Sequence, residues 1–242
     1  TCDIQVQGIH FLPEVITPYQ LGRKVAAINL SDIGAMGGWP RHLLISLGLP
    51  DETQVGDLEA LYDGIRDECT PLGTDVVGGN VSRAPVLMVD AFLVGEVAAA
   101  HLLRRRGARP GDHVLVTGWV GASRAGLELV LQGQGSPPFP EEVAGAALAA
   151  HLTPRPRVRE GQTIAACGGA TAMIDISDGL AADLGHICDA SQVGVRVCAQ
   201  NIPVAEAARQ IASAFGANPL AWALGGGEDY ELCFTAPPEA VD

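Results

Sequence analysis

Apolar and polar positions along the first part of the chain follow the two spacings of regular secondary structure. Residues 1–6 alternate between polar and apolar side chains, which predicts a strand. Thr17 and Pro18 are typical of a helix N-cap and first turn, and they precede a helix predicted over residues 19–36. Glycines and a proline in residues 37–40 are expected to end this helix.

The same reading of periodicity extends the prediction along the rest of the chain. In the N-terminal part it predicts a helix over residues 51–69 and strands over 43–49, 75–79 and 85–97. In the C-terminal part it predicts helices over residues 122–132, 141–151, 156–167, 177–189 and 204–215, and strands over 113–117, 172–176, 193–198 and 230–235. Alternating strands and helices indicate an α/β protein with α+β layers.

An arginine-rich and turn-rich segment interrupts the apolar pattern at residues 104–112. Such segments separate compact units, because few apolar contacts cross them. The sequence therefore predicts two domains, residues 1–103 and 104–242.

Composition and charge exclude several classes of function. The chain has 15 Lys+Arg against 28 Asp+Glu and a formal net charge of −13, which excludes a non-specific nucleic-acid partner. Lys24 is the single lysine, and no G-x-x-x-x-G-K-[ST] motif surrounds it, so a P-loop is excluded. No apolar run reaches the roughly 18 residues that span a bilayer, and no membrane partner is expected.

The six cysteines indicate the compartment. None forms a C-x-x-C pair, and most lie in apolar stretches, which favours free thiols in a reducing cytoplasm. No basic segment followed by an apolar stretch opens the given sequence, so no secretory signal is expected from it. Its first residue is Thr1 instead of Met, which indicates a start that is trimmed, processed or incomplete.

Four acidic clusters break the apolar pattern. In the first, Asn29 and Asp32 share one face of the predicted helix, beside small residues that permit close approach of a backbone or a ligand. A helix that frays at a glycine-rich C-cap explains this cluster equally well. The second cluster, Asp175 to Asp178, lies where a predicted strand feeds a helix, a common position for phosphate and metal. Capping by Ser177 explains part of it but leaves Asp175 unexplained.

The other two clusters flank the ends of the chain. Three glycines precede Glu228 and Asp229, which indicates either a backbone close to a ligand or a flexible hairpin turn. Asp3 is followed by His10, and a lone histidine is more often structural than functional. Carboxylates without cysteine or histidine partners favour Mg²⁺, which would bridge the protein to phosphates in the absence of a P-loop lysine.

Together these segments resemble the thiamine-monophosphate kinase family. It belongs to a superfamily with aminoimidazole ribonucleotide synthetase, selenophosphate synthetase and the hydrogenase maturation factor HypE. The matching stretches occur in the family's order and are Thr1-Cys2-Asp3 with Gly8-Ile9-His10-Phe11, residues 29–38, Gly78-Gly79-Asn80, and residues 105–112, 175–180 and 226–234.

The resemblance implies a fold, a reaction and an assembly. The fold is the two-domain aminoimidazole ribonucleotide synthetase-like fold, in a homodimer whose N-terminal domains form a shared sheet barrel. The reaction is ATP-dependent phosphorylation of thiamine phosphate to thiamine diphosphate, by direct transfer without a phospho-enzyme.

The resemblance also implies roles for individual residues. Asp32, Asp178 and Arg105 are the implied catalytic residues. The implied ligands of several Mg²⁺ ions are Thr1, Cys2, Asp3, Asp32, Asn80, Asp175 and Asp178. The implied ATP contacts are Tyr62, Gly79, Asn80, Arg105 and Ser177. His10 and Glu228, together with Asp229, are expected to face thiamine phosphate.

The chain departs from the family pattern in four places. Asn80 stands where the family usually has a metal-binding Asp, which should weaken one Mg²⁺ site. Cys2 replaces a usual Ser or Thr. An upstream Gly-Asp-Asp segment and a C-terminal tail that helps to cover the substrate are absent. These two absences indicate a fragment or a chain whose mobile ends were removed.

Two further functions stay open on the sequence. One is another ATP-using enzyme of the superfamily, although no catalytic Cys or Sec loop of a selenophosphate synthetase is visible. The other is a non-catalytic nucleotide-binding homologue, which Asn80 and the missing acidic segment would explain.

Overall fold

The computed structural model describes residues 1–133 and 139–241. Within these residues the strands are Cys2–Val6 (β1), Trp39–Leu49 (β2), Asp75–Arg83 (β3), Met88–Glu96 (β4), His113–Val116 (β5), Ala172–Asp175 (β6) and Leu232–Ala236 (β7). The α-helices are Pro18–Ala35 (α1), Val55–Cys69 (α2), Ala122–Gln132 (α3), Glu141–Leu152 (α4), Val158–Cys167 (α5), Leu180–Ser191 (α6), Glu206–Ala214 (α7) and Pro219–Gly225 (α8). No helix in this part of the chain is long and apolar enough to cross a membrane.

The N-terminal layer is a four-stranded sheet in the order β1-β4-β2-β3. β4 is antiparallel to β1 and β2, and β3 is parallel to β2. Alternation in β2 and β4 directs one row of side chains inward, where Leu43, Ile45, Val89 and Leu93 join a buried core with α1 and α2. The opposite row is exposed.

Helix α1 begins as its sequence predicts. Thr17 and Gln20 form a capping box, in which each side chain accepts a hydrogen bond from the other residue's backbone N–H. The small residues near its end permit a backbone to approach, because a Cβ on Gly34 would lie 3.0 Å from the Val158 Cα. A Cβ on Gly161 would lie 2.1 Å from the Gly34 carbonyl oxygen. α5 therefore packs directly on the end of α1.

The C-terminal layer is built on an antiparallel sheet in the order β5-β7-β6. Its buried core includes Ile174 and Ile176 from the sheet side, and Leu184 and Ile211 from α6 and α7. A third apolar cluster joins Ala35 and Leu103 from the N-terminal part to Met173 and Leu232 from the C-terminal sheet. The two layers thus share a continuous packed interface.

Two local predictions were wrong. Residues 193–198 form no strand, and Val195 and Val197 are exposed because no neighbouring strand pairs with them in the described part of the chain. Ser177 is not a helix N-cap, because α6 begins at Leu180 after Gly179. Of the two alternatives left open for the three glycines, the hairpin turn is not formed, because these residues are the end of α8 and the loop that follows it.

A buried ion pair connects the start of α5 with the C-terminal sheet. Arg157 donates through Nε to Glu231 Oε2 over 2.8 Å, and Thr117 Oγ1 donates to the same oxygen over 2.6 Å. A second guanidinium nitrogen contacts Glu231 Oε1, so the pair is bidentate. Glu231 is 6% exposed, so its charge depends on these partners.

We expect Arg157→Met to lower the free energy of unfolding by about 3 kcal/mol, because it leaves the buried Glu231 carboxylate without its cation. Urea denaturation followed by circular dichroism measures the change. Arg155→Met, at an exposed position beside it, is the matched control and should change stability by less than about 0.5 kcal/mol. Equal effects of the two substitutions would contradict the prediction.

Candidate functional site

Three carboxylates from distant parts of the sequence are brought together between the two layers. Asp3 lies on β1, Asp32 lies in the last turn of α1, and Asp175 ends β6. Thr1 Oγ1 donates a hydrogen bond to Asp32. Ser31 Oγ donates to Asp175 Oδ2 over 2.6 Å, which ties the end of α1 to the end of β6.

Crowding of these carboxylates makes their ionisation unfavourable. Burial and the neighbouring Asp32 carboxylate raise the pKa of Asp3 from 3.8 to about 6. The same two causes raise the pKa of the 4% exposed Asp175 to about 7, partly offset by the Ser31 hydrogen bond. No ion pair within residues 1–133 and 139–241 joins Lys, Arg or His to these three acids. Repulsion of this kind would be relieved by a bound cation with oxygen ligands, such as Mg²⁺.

A fourth carboxylate, Asp90, was missed by the sequence reasoning. It lies on β4, and its Oδ1 is 3.3 Å from Cys2 Sγ. Ser46 on β2 pairs with Asp90 on one side and with Asn80 on β3 on the other, so the three residues form one row across the sheet. The available signal was an acidic residue inside the apolar segment 85–97.

Arginine side chains border the carboxylate cluster. A cavity of about 550 Å³ is lined by Asp32, Asp175 and the three consecutive arginines 104–106. The arginine segment is fixed there because Met173 N–H on β6 donates to the Arg104 carbonyl over 2.9 Å. The cavity thus combines carboxylates for a cation with guanidinium groups for an anion.

The turn after β6 holds Ser177 and Asp178. Asp178 is exposed, and its N–H donates to the buried Asp183 Oδ2 over 3.1 Å, as does the N–H of Gly179 over 3.0 Å. The Asp183 carboxylate therefore accepts hydrogen bonds from backbone N–H groups just before α6. This is the capping role that the sequence predicted for Ser177. Asp178 and Asp183 lie close to His186, which gives this turn three groups that can hold a metal ion.

A second cavity, of about 510 Å³, lies between the N-terminal loop and helices α3 and α4. His10 and Glu228 both line it, and so do Lys24 and His151. Its other walls are largely apolar, from residues that include Ile9, Phe11, Leu127, Val130 and Leu131.

Glu228 is held as an ionised group in this wall. Its Oε1 lies 3.0 Å from Lys24 Nζ, and its Oε2 lies 3.3 Å from His151 Nδ1. Burial opposes ionisation, but His151 and Lys24 outweigh it and lower the pKa of Glu228 to about 2. His10 Nδ1 accepts a hydrogen bond from Val6 N–H over 3.1 Å, which places the ring proton on Nε2.

One loop connects the two cavities. Glu228 and Tyr230 adopt positive φ angles of 54° and 51°, a backbone conformation that residues other than glycine rarely adopt. Two hydrogen bonds impose this geometry, from Glu228 N–H to the Ser177 carbonyl and from Tyr230 N–H to the Ile176 carbonyl. The loop that carries Glu228 is therefore attached to the strand end that carries Asp175.

Like Ser177 and Asp178, further predicted residues line neither of these two cavities. Asp229 is turned toward α3, where its carboxylate accepts the Gly121 N–H over 2.9 Å. Burial, opposed by that hydrogen bond, raises the pKa of Asp229 to about 7. Tyr62 packs on the N-terminal core. Gly79 and Asn80 lie on β3, where a Cβ on Gly79 would lie 1.8 Å from the Ile45 carbonyl oxygen. The ligand contacts expected of all the predicted site residues stay predictions.

Comparisons with known proteins agree on one family. The family model of the AIR synthase related protein N-terminal domain matches residues 1–97, and that of the C-terminal domain matches residues 109–242. The "Thiamine-monophosphate kinase" of Aquifex aeolicus is 40% identical over 240 residues, which are 99% of this chain and 76% of that protein.

Solved structures extend the comparison to the fold. A structure described as AaThiL complexed with AMPPCP and TMP aligns with a TM-score of 0.92 and 38% identity, covering 99% of this chain and 75% of that one. A hydrogenase maturation protein HypE in complex with ATP aligns with a TM-score of 0.77 at 22% identity, over 99% of this chain and 68% of that one, which shows the fold alone. The two-domain mixed α/β fold is thus that of the AIR synthase-related proteins, and the chain belongs to the thiamine-monophosphate kinase family.

Proposed function

We propose that this protein phosphorylates thiamine monophosphate to thiamine diphosphate with ATP. The observation that carries the proposal is the attachment of the Glu228 loop to the end of β6. It joins an apolar, carboxylate-bearing cavity to a cluster of acids and arginines. The relative's complex with AMPPCP and TMP supports the same pairing of ligands.

The reaction is a single phosphoryl transfer. An oxygen of the thiamine phosphate group forms a bond to the γ-phosphorus of ATP as the bond from that phosphorus to the β-phosphate oxygen breaks. The products are thiamine diphosphate and ADP. Because catalysis of this kind is mainly positioning and charge neutralisation, the chain needs no strong base.

The acids would hold the metal and the arginines would face the nucleotide phosphates. Asp3, Asp32, Asp175 and Asp178 are proposed as carboxylate ligands, with Thr1, Cys2 and Asn80 completing the set. Mg²⁺ bound there would neutralise the charge of the transferring phosphate. Arg105 is proposed to bind ATP phosphate oxygens, while Tyr62, Gly79 and Ser177 are proposed as further ATP contacts.

The apolar cavity would hold the thiamine end of the substrate. His10 supplies a donor at Nε2 and the ionised Glu228 supplies an acceptor, which together complement an aminopyrimidine ring with its acceptor nitrogen and donor amino group. Asp229 is proposed to act here by supporting the start of α3, since its carboxylate is bonded to Gly121 N–H.

A direct assay tests the proposal. Purified protein is incubated with ATP, Mg²⁺ and thiamine monophosphate, and thiamine diphosphate is separated by chromatography. Formation of thiamine diphosphate together with equimolar ADP is expected. No product above a Mg²⁺-free blank would contradict the proposed function. ATP binding without turnover would then favour a non-catalytic homologue.

We also propose that the protein is a homodimer built through its N-terminal sheet. The outer face carries exposed apolar side chains, including Leu44, Phe92 and Val94. The edge strand β3 is exposed along all nine residues, including Val77 and Val81. Soluble proteins seldom leave a long apolar strand edge open, so a second copy that completes a barrel would cover it.

All six cysteines are free thiols, which supports a cytoplasmic location.

We expect Phe92→Glu to convert this dimer to a monomer, because it places a charge in the proposed buried face. Sedimentation velocity of the variant and the unmodified protein measures the change. Val55→Glu, which replaces a 71% exposed residue at the start of α2, is the control and should leave the mass unchanged. A monomeric unmodified protein would exclude the proposed barrel.

A further inference from the structure

Lys24, the single lysine of the chain, occupies an unusual position. It lies on α1, and its side chain is 1% exposed. Its Nζ is 3.0 Å from Glu228 Oε1, across the boundary between the N-terminal helix and the C-terminal loop. Removing an ammonium group from water is costly, and an apolar side chain of similar length would avoid that cost. Packing therefore does not account for a lysine here.

The second oxygen of the same carboxylate is also engaged. The same nitrogen of His151 on α4, Nδ1, lies 3.3 Å from Glu228 Oε2 and 3.2 Å from Ser123 Oγ on α3. Both groups are buried. Each oxygen of Glu228 thus has one fixed partner, from a different element, so the carboxylate cannot turn without breaking one of these contacts.

Lys24, His151 and Glu228 all line the same cavity, whose other walls indicate what the carboxylate can bind. Apart from the polar residues His10, Lys24, His151 and Glu228, its described lining is apolar or glycine. Lys24 is also on the cavity lining, but its charge is balanced by Glu228. The ionised, immobile carboxylate is therefore the cavity's charged hydrogen-bond acceptor for a heterocycle.

We propose that Lys24 is a positioning residue for the heterocycle of the substrate, acting by fixing the Glu228 carboxylate in the wall of the cavity, with His151 in the same role. The inference rests on the proposed function and deepens it. Lys24 does not need to touch the substrate, because its effect passes through the orientation and charge of Glu228. Loss of Lys24 then weakens binding of thiamine monophosphate and leaves ATP binding unchanged.

The main test compares the two substrates in Lys24→Met, which keeps the length of the side chain and removes its charge. We expect the KM for thiamine monophosphate to rise about tenfold, as for loss of a buried charged contact, with the KM for ATP changed less than about twofold. Isothermal titration of thiamine monophosphate without ATP should show the same loss of affinity. Unchanged affinity for thiamine monophosphate would overturn the proposal.

Two controls separate positioning from stability. Arg157→Met removes a half-buried cation that bridges the layers away from this cavity, so it should lower stability without changing the ratio of the two KM values. In a Glu228→Gln background, Lys24→Met should have little further effect on thiamine monophosphate affinity, because the two residues act as one unit. Additive losses would contradict action through Glu228.

The outcomes distinguish this inference from the proposed function. If the unmodified protein neither binds nor phosphorylates thiamine monophosphate, both the proposed function and the inference that rests on it fail. If it does so and Lys24→Met behaves identically, only the role of Lys24 fails. Should circular dichroism show that Lys24→Met is unfolded, Lys24→Gln replaces it, since an amide retains a donor to Glu228 without the charge.

Discussion

Replacing Asp32 by Asn should reduce the rate of thiamine diphosphate formation on the order of 10²- to 10³-fold. Asp32 is the carboxylate whose charge acts on both Asp3 and Asp175, so it lies at the centre of the proposed metal site. Removing its charge weakens the held cation and the charge neutralisation that it supplies to the transferring phosphate. Steady-state rates at saturating ATP, measured over a range of Mg²⁺ concentrations, test this expectation.

The same variant should be more stable than the unmodified protein when no Mg²⁺ is present. Without the Asp32 charge, Asp3 and Asp175 ionise against less repulsion. Thermal unfolding in a chelating buffer measures this gain, which a general folding defect could not produce. Asp57→Asn, an exposed acid at the start of α2, is the matched control and should retain normal turnover. If the Asp32→Asn enzyme keeps normal turnover, Asp32 is not part of the proposed metal site.

A second large effect is expected on stability as a function of pH. Asp175 has a pKa of about 7 in the folded protein, against an ordinary value of 3.8. As pH rises from 4 to 7, the unfolded chain releases this proton first, so the unfolded state binds fewer protons than the folded state. The free energy of unfolding of the metal-free protein therefore falls as pH rises through this window. The expected loss from Asp175 is on the order of 2–4 kcal/mol, and Asp3 shifts in the same direction.

Mg²⁺ should reverse this loss, because a bound cation replaces the proton. Millimolar Mg²⁺ is expected to stabilise the protein strongly at pH 7.5 and weakly at pH 5, as measured by denaturant unfolding at both values. Asp229 also has a raised pKa but is bonded to the start of α3, so its contribution to the pH dependence should not respond to Mg²⁺. Asp175→Asn should remove most of the stabilisation that Mg²⁺ gives at pH 7.5. Equal stabilisation by Mg²⁺ at the two pH values would contradict the expected link.

Local signals in the sequence predicted a large part of the secondary structure. The capping pair at Thr17 and the apolar spacing that follows predicted α1 to within one residue at each end. Residues 193–198 show the limit of such signals. Their β-branched residues favour a strand, yet a strand needs a partner, and none pairs with them in the described residues.

The candidate site was predictable to the extent that its residues interrupt apolar segments. Asp3, Asp32 and Asp175 stood out for this reason, and the structure brings them together. Asp90 interrupts an apolar strand in the same way, but its closeness to Cys2 depends on the register between β1 and β4. Ser31 gave no signal, because only the meeting of α1 with β6 makes its hydroxyl a partner of Asp175.

By itself, the sequence determined most of the helices and strands, the acidic composition and the absence of a P-loop, because these follow from local spacing and residue counts. The tertiary structure decided how polar side chains pair across the two layers. Lys24 in the sequence only excluded a P-loop, whereas in the fold it is the buried partner of Glu228, 204 positions away in the chain. Such a pair depends on helix rotation and on the strained loop at Glu228, and both are fixed by long-range packing that no local pattern encodes.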